Sequence, residues 1–208
     1  KLVAEFAGTL LLVAAVIGSG IMGDRLSADT GVALLANTGA TAAALFVLIS
    51  ILGPVSGAHF NPVVSAIMAL RGALSPTQAA AYTLAQIAGG ILGALLAHAM
   101  FELPLLQIST AIRSGSGQFI AETVATFCLL AVILRGSRIE GISMPALVSL
   151  TIASAYWFTA STSFANPAVT IARAFTGTFS GIAPSSVPVF VLAQCLGGAA
   201  ASLTARVK

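Results

Sequence analysis

The sequence predicts an all-α membrane protein of six membrane-spanning helices and two half-helices, in which the second half of the chain repeats the first in inverted orientation. Hydrophobic residues make up 58% of the 208 residues and charged residues only 7%, whereas soluble domains carry roughly 25% charged residues. Apolar runs of about 20 residues, the length that crosses a bilayer, recur along the whole chain. Asn-Pro dipeptides begin at Asn61 and Asn166, about half a chain apart, and each precedes a short apolar run.

The first half of the chain holds three predicted spans and one half-helix. Gly53-Pro54 is predicted to end the second span, because both residues disfavour a continuing helix. The half-helix is predicted to begin at Asn61 and to end near Arg71, since Asn is a good N-cap and Pro is tolerated at the first helical position. The predicted full spans are 2–22, 31–52 and 76–101.

The second half repeats this order. A half-helix is predicted from Asn166 to about Gly177, between the second and third spans of this half. A connector rich in Ser and Gly, at 104–117, joins the halves, so residues 1–208 are predicted to form one transmembrane channel domain with repeat halves at about 1–103 and 117–208. The predicted spans here are 118–134, 143–160 and 185–205.

Two features indicate that the repeat is inverted. Each half has three spans, and an odd number brings the chain out on the opposite side, so the second half enters the membrane from the other face. Ala4-Glu5 near the start of the first span matches Ala121-Glu122 in the fourth.

The basic residues indicate the orientation in the membrane. An N-terminus on the inner side leaves three basic residues outside, Arg25, Arg113 and Arg173, and six inside: Lys1, Arg71, Arg135, Arg138, Arg206 and Lys208. This excess predicts cytoplasmic N- and C-termini.

The two half-helices are predicted to meet near the middle of the membrane with their N-termini facing each other. Non-helical backbone at that depth is tolerated only beside protein or a water-filled path. Each helix N-terminus carries about half a positive charge, so two of them disfavour a cation between them. The side-chain amides of Asn61 and Asn166 can donate hydrogen bonds to a passing water or hydroxyl group. A single Asn-Pro dipeptide indicates only a loop turn, but two in matching positions favour a channel.

Other function classes have little support in the sequence. It contains no nucleotide-binding loop, metal-ligand cluster or catalytic triad, which predicts a protein that is not an enzyme and has no cofactor or metal. The formal net charge of +3 comes from residues between apolar runs, where membrane topology explains them, so no nucleic-acid partner is expected.

These motifs resemble the aquaporin (major intrinsic protein) family, of the aquaglyceroporin type, over the whole chain. The resemblance implies a right-handed bundle, one pore in each subunit, a homotetramer in the lipid bilayer, and small neutral solutes as partners. The family motifs correspond to Asn61-Pro62-Val63 and Asn166-Pro167-Ala168. Two residues depart from the family pattern: Val63, where Ala is usual, and Val169, where the family places an Arg that narrows the pore.

The resemblance also locates a selectivity filter. Mapped from the asparagines, it consists of Thr41, Ser154, Ser163 and Val169, with Ala153 as the alternative to Ser154 if the preceding loop is one residue longer. A ring of these side chains is small and mildly polar, which predicts a pore wider than that of a water-only channel.

A filter without Arg is similar to that of bacterial aquaglyceroporins found with arsenic-resistance genes. This implies passage of water, glycerol, arsenite and methylated arsenicals as neutral molecules, across a bacterial inner membrane. The alternatives are a water-selective aquaporin or a coupled secondary transporter that uses Glu5 and Glu122 as matched carboxylates.

Three charged residues have two interpretations each. Glu5 and Glu122 lie within apolar spans, where each needs a partner; they are either a proton relay or acceptors for backbone N–H groups of the irregular loops, and the resemblance favours loop support. Arg173 lies four residues after Val169, on nearly the same helical face and about 6 Å further along the axis. It either replaces part of the missing charge at the pore mouth, or it reaches to headgroups or pairs with Asp24 or Asp29.

Overall fold

The protein is a bundle of α-helices around a central pair of half-helices, as seen in a computed structural model that describes residues 1–204. No strand occurs in that range, which confirms the predicted fold class. The end of the last predicted span, with Arg206 and Lys208, lies outside the described residues. The helices are α1 (Leu2–Leu26), α2 (Thr30–Ser56), α3 (Pro62–Leu70), α4 (Pro76–Met100), α5 (Ser116–Gly136), α6 (Met144–Phe158), α7 (Pro167–Arg173) and α8 (Val187–Thr204), the last preceded by a 3-10 turn at Pro184–Ser186.

Within residues 1–204, five helical segments are long and apolar enough to cross a membrane: α1, α2, α4, α5 and the segment from the 3-10 turn through α8. The sixth, α6, is apolar but has only 15 residues. Together these segments make the chain an integral membrane protein, and α3 and α7 are too short to span a bilayer.

The second span differs from its prediction, because α2 continues through Gly53-Pro54 to Ser56. Pro54 stands in the last turn of the helix, where its missing N–H removes one hydrogen bond and leaves the rest of the ladder intact. The helix ends instead at Gly57, whose φ of 94° lies in the left-handed region and whose N–H donates to the Gly53 carbonyl at 2.9 Å.

The two half-helices begin where the Asn-Pro dipeptides predict. The first, α3, ends at Leu70, as expected, whereas α7 ends at Arg173, one turn before the predicted Gly177. The chain after Arg173 turns back and pairs with the connector: Ser109 N–H donates to the Ala174 carbonyl at 2.9 Å, and Ala183 N–H donates to the Ala111 carbonyl at 2.7 Å. These bonds use backbone groups that a longer helix would need.

The packing follows the repeat. The most extensive contacts are those of α1 with α4 and of α5 with α8, the same pair in each half. Glycines permit the close approach: a Cβ built on Gly89 or Gly93 would lie 2.3 Å from the carbonyl oxygen of Phe6 or Leu10, and one on Gly197 would lie 2.3 Å from that of Thr123. Small residues at such crossings are typical of membrane helices.

Gly89→Ala should therefore destabilise the bundle. The added methyl group meets backbone of α1, which cannot move aside as a side chain can, and overpacking of this kind costs about 1–3 kcal/mol. Thermal unfolding of the purified protein in detergent measures the effect. Gly39→Ala is the matched control, because Gly39 is also helical and has nothing within 4 Å of its Cβ position. Equal unfolding midpoints for Gly89→Ala and Gly39→Ala would contradict the close contact between α4 and α1 at Gly89.

Candidate functional site

A cavity of about 210 Å³ runs through the centre of the bundle and is lined by residues of both halves. Met68 and Met144 line it at one end, where α3 ends and α6 begins. Arg173 and Tyr156 line it at the other end, where α7 and α6 end. Asn61 and Asn166 line it between these ends, so the N-termini of both half-helices face this one cavity, which is called the channel below.

Each asparagine links the two loops that precede the half-helices. Asn61 Nδ2 donates to the Ala165 carbonyl at 2.7 Å, and Asn166 Nδ2 donates to the Phe60 carbonyl at 2.7 Å. Their Oδ1 atoms cap the helices, accepting from Val63 N–H at 2.9 Å in one half and from Ala168 N–H at 2.9 Å in the other. An amide nitrogen has two hydrogens, so each asparagine keeps one for the channel.

Glu5 braces the loop before α3. Its Oε1 accepts from the Ser56 hydroxyl at 2.6 Å and from His59 N–H at 3.0 Å. Its Oε2 accepts from Phe60 N–H at 2.7 Å and from Gln86 Nε2 at 2.8 Å. The side chain is fully buried, and four donors compensate for the burial of its charge.

Glu122 does the same for the loop before α7. Its two oxygens accept from Phe164 N–H at 2.8 Å and Ala165 N–H at 2.9 Å, and Gln194 Nε2 donates to Oε2 at 2.6 Å. Neither Glu5 nor Glu122 lines the channel. Both therefore hydrogen-bond to the loops before the half-helices and lie outside the channel lining.

Gln86 and Gln194 complete these networks, and the sequence reasoning missed them. Each joins its glutamate to a hydroxyl of the half-helix: Gln86 Nε2 donates to Ser65 Oγ at 3.0 Å, and Gln194 Nε2 donates to Thr170 Oγ1 at 2.8 Å. A repeat in the sequence would have revealed them, because Leu-Ala-Gln at 84–86 and again at 192–194 is followed by two glycines at the same spacing.

Three of the four predicted filter residues line the channel: Thr41, Ser163 and Val169. Ser154 does not line the channel. Its side chain is on the exposed face of α6, where its hydroxyl donates to the Thr151 carbonyl at 2.9 Å. Ala153, the alternative, is also absent from the lining.

The reason is the helical period of α6. The channel-lining side chains of this helix recur every four residues and end at Tyr156; they are Met144, Val148, Ile152 and Tyr156. Residue 154 is two positions from the last two of these, about 200° around the helix. Tyr156 therefore lines the channel beside Thr41, with its hydroxyl 3.4 Å from Thr41 Oγ1.

The remaining motif residues form the wall behind the channel. Val63 is buried beside Gly198, where an added Cβ would lie 2.4 Å from the Val63 side chain, and the Ala168 carbonyl lies 3.2 Å from a Cβ built on Gly90. Pro62 and Pro167 occupy the first positions of their half-helices. The extra methyl groups of Val63 relative to alanine thus fill space against α8 and leave the bore unchanged.

Arg173 is buried at the Tyr156 end, with 4% of its surface exposed. Its Nε donates to the Ser180 carbonyl, and its Cζ stands 3.4 Å from the centroid of the Phe164 ring. The Arg173 side chain thus neither extends toward lipid headgroups nor pairs with Asp24 or Asp29. Arg113 of the connector stands over the same ring at 5.2 Å and donates from Nε to the Gly181 carbonyl at 3.0 Å; burial lowers the pKa of Arg113 from its usual value.

Comparison with known proteins gives three consistent similarities. A family model described as Major intrinsic protein matches residues 1–156. The chain is 58% identical over 201 residues to Aquaglyceroporin AqpS of Rhizobium meliloti, covering 97% of this chain and 86% of that protein. It is 30% identical over 150 residues to a Glycerol uptake facilitator protein of Streptococcus pneumoniae, covering 64% of this chain and 62% of that protein.

The fold is similar to that in the X-ray structure of the aquaglyceroporin from Plasmodium falciparum. The TM-score is 0.78 at 21% identity, and the match covers 100% of this chain and 95% of that one. At that identity the likeness concerns the fold alone.

Proposed function

The chain belongs to the major intrinsic protein family, and on that premise we propose that it is a passive channel for small neutral solutes: water, glycerol, arsenite as arsenous acid, and methylated arsenicals. The observation that carries the proposal is the continuous cavity past Asn61 and Asn166, with Val169 where the family places an Arg. Arg173 then stands one turn further along α7, at the mouth.

The chemistry of the wall favours neutral polyhydroxyl solutes. Asn61 and Asn166 each retain one amide hydrogen for a solute oxygen. Ser163 Oγ is buried and forms no hydrogen bond within the described part of the protein, although Ser163 lines the channel. The rest of the lining is mostly apolar, as suits the carbon backbone of glycerol. We propose Thr41, Tyr156, Ser163 and Val169 as the filter.

Two alternatives are less well supported. A water-selective pore is expected to be narrowed by larger or charged side chains, whereas Val169 and Ser163 are small and uncharged. A coupled transporter would need Glu5 and Glu122 to exchange protons with the pore, yet both are held by loop N–H groups and a glutamine outside the lining.

Proteoliposomes in a stopped-flow light-scattering assay test the solute range. After a hyperosmotic step with glycerol or arsenous acid, vesicles with the protein should shrink and then swell again faster than empty vesicles. Shrinkage with no accelerated re-swelling for either solute would identify a water-selective pore and overturn the proposal.

Val169→Arg should reduce glycerol passage more than water passage. A guanidinium at this position fills the bore beside Tyr156 and restores the family arrangement, and glycerol has the larger cross-section. Val169→Leu is the uncharged control for added bulk. Measured in the same vesicles, an equal loss of water and glycerol flux would indicate general damage and would contradict the role of Val169 in size selection.

We also propose the family's assembly and orientation for this chain: a homotetramer in a bacterial inner membrane with cytoplasmic N- and C-termini. Support comes from the apolar side chains exposed along the spans, such as Leu84, Leu150 and Leu192, and from the distribution of basic residues. Native mass spectrometry from detergent tests the tetramer, and a monomer alone would contradict it. Reporter enzymes fused at the C-terminus test the orientation, which periplasmic activity would contradict.

A further inference from the structure

A second cavity, of about 230 Å³, adjoins the channel at the Arg173 mouth. It lies between the start of α2, the connector, and the loop before α7. Arg113 and Arg173 are the only charged residues in its lining, and Arg173 also lines the channel. The other lining residues are Thr30, Gly31, Leu34, Asn37, Thr162 and Phe179.

The two arginines are held in place by their Nε groups and by one aromatic ring. Arg113 Nε donates to the Gly181 carbonyl and Arg173 Nε donates to the Ser180 carbonyl. Both guanidinium groups stand over Phe164, so their positive charges are close together. In residues 1–204 no protein acceptor takes a hydrogen bond from their terminal Nη atoms.

Glu122 attracts both arginines across Phe164, but no acidic side chain of residues 1–204 is in direct contact with the pair. Neither arginine forms an ion pair with an acidic side chain within the described residues. Glu122, the acid behind Phe164, is bound to Phe164 N–H, Ala165 N–H and Gln194. Asp29, at the start of α2, accepts from Gly31 N–H at 2.7 Å as the helix cap. The repulsion of Arg173 by Arg113 exceeds its attraction to Glu122, and an anion bound between the two arginines relieves that repulsion.

We propose that this cavity binds a small free oxyanion, such as inorganic phosphate or a carboxylate, at the mouth of the channel. The planar forks of Arg113 and Arg173 suit the paired oxygens of such a group. Thr30 and Thr162 add hydroxyls that form no hydrogen bond among the described residues. Because Arg173 faces both cavities, the bound anion regulates entry of neutral solutes. The regulation of solute entry rests on the proposed channel function, whereas the binding of the anion does not.

Binding is tested on the purified protein in detergent, with inorganic phosphate as the probe and sodium chloride at equal ionic strength as the reference. Phosphate should raise the unfolding midpoint in a saturable manner. Arg113→Gln should weaken the apparent affinity about tenfold or more, because a hydrogen-bonded charge is lost. Arg25→Gln, which removes a cation in the last turn of α1 and outside the cavity lining, should leave the apparent affinity unchanged.

A second variant keeps the test decisive if Arg113→Gln does not fold. Thr30→Asp places a carboxylate in the cavity as an internal counter-ion, so it should raise the midpoint without phosphate and abolish the phosphate response. No phosphate response in the wild-type protein, or an equal response in Arg25→Gln and Thr30→Asp, would show that phosphate does not bind in this cavity and would overturn the proposal. Stabilisation by phosphatidylglycerol but not by phosphate would assign the arginines to a lipid headgroup, which also overturns it.

Regulation is tested separately in proteoliposomes. External phosphate should slow glycerol entry through the wild-type protein and have no effect on Thr30→Asp. Unchanged glycerol flux through the wild-type protein at a saturating phosphate concentration would show that the bound anion does not regulate solute entry. If glycerol does not pass at all while phosphate still stabilises the protein, the proposed function fails and the anion site stands.

Discussion

Asn166→Asp is expected to make the channel leak cations. The change keeps a side-chain oxygen that can cap Ala168 N–H and Val169 N–H, and it adds a negative charge beside the two half-helix N-termini. Together those termini carry about one positive charge, so the carboxylate cancels most of the barrier. The new oxygen also faces the Phe60 carbonyl, which now accepts a hydrogen bond from Asn166 Nδ2 at 2.7 Å.

Voltage-clamped cells that express the variant should therefore show a cation current that cells with the wild-type protein lack. Asn166→Ala is the control, because it breaks the same link to Phe60 without adding charge. A current of equal size in both variants would trace the leak to loop damage. No added current in Asn166→Asp at normal surface expression would contradict the role of the helix dipoles in excluding cations.

Glu122→Gln is expected to cause the largest loss of stability. The carboxylate accepts from Phe164 N–H, Ala165 N–H and Gln194, whereas a glutamine in its place must turn its own NH₂ group toward one of these donors. A buried donor without a partner costs about 1–3 kcal/mol. With one such donor left unpaired and the charge-assisted strength of the other bonds lost, we expect a loss of about 3 kcal/mol and a displaced loop before α7.

The unfolding midpoint in detergent measures this loss. Glu140→Gln removes the same charge from an exposed loop and should leave the midpoint unchanged. Because the pore depends on the position of that loop, water and glycerol flux should fall together in Glu122→Gln. A stable variant with normal flux that loses only a response to proton gradients would instead support the relay interpretation.

The helices were predictable because their causes are local. Hydropathy marks the spans, and Asn61-Pro62 and Asn166-Pro167 mark half-helix starts through capping chemistry. Pro54 suggested an earlier end of α2 than the structure has. A proline in the last turn breaks few helical hydrogen bonds, and Pro54 stands in the last turn only because the helix ends at Gly57. The helix ends there because Gly57 adopts a left-handed backbone conformation, which the pattern of apolar residues does not predict.

The channel lining was only partly predictable, because its residues come from distant parts of the chain. Counting from the motif finds Val169 and Ser163, which line the channel, since both are within three residues of Asn166. On α6 the count leads to Ser154, whereas the register across the intervening loop brings Tyr156 into the lining. The four-residue recurrence of apolar side chains that ends at Tyr156 was the available signal.

The surroundings of Arg173 could not be predicted from helical spacing alone. Spacing puts the side chain near the mouth, but its contacts with Ser180 and Phe164 arise from the turn after α7 and from the connector. Those segments are irregular, so their course depends on tertiary hydrogen bonds rather than on periodicity.

The central claim is that neutral solutes cross passively through one pore past Asn61 and Asn166. Its most direct test is the rate of glycerol entry into proteoliposomes over a wide range of glycerol concentration, with and without an imposed proton gradient. Passive conduction predicts a rate that rises in proportion to the glycerol gradient and is the same with and without the proton gradient. A rate that saturates and follows the proton gradient would contradict the claim and indicate a transporter that uses Glu5 and Glu122.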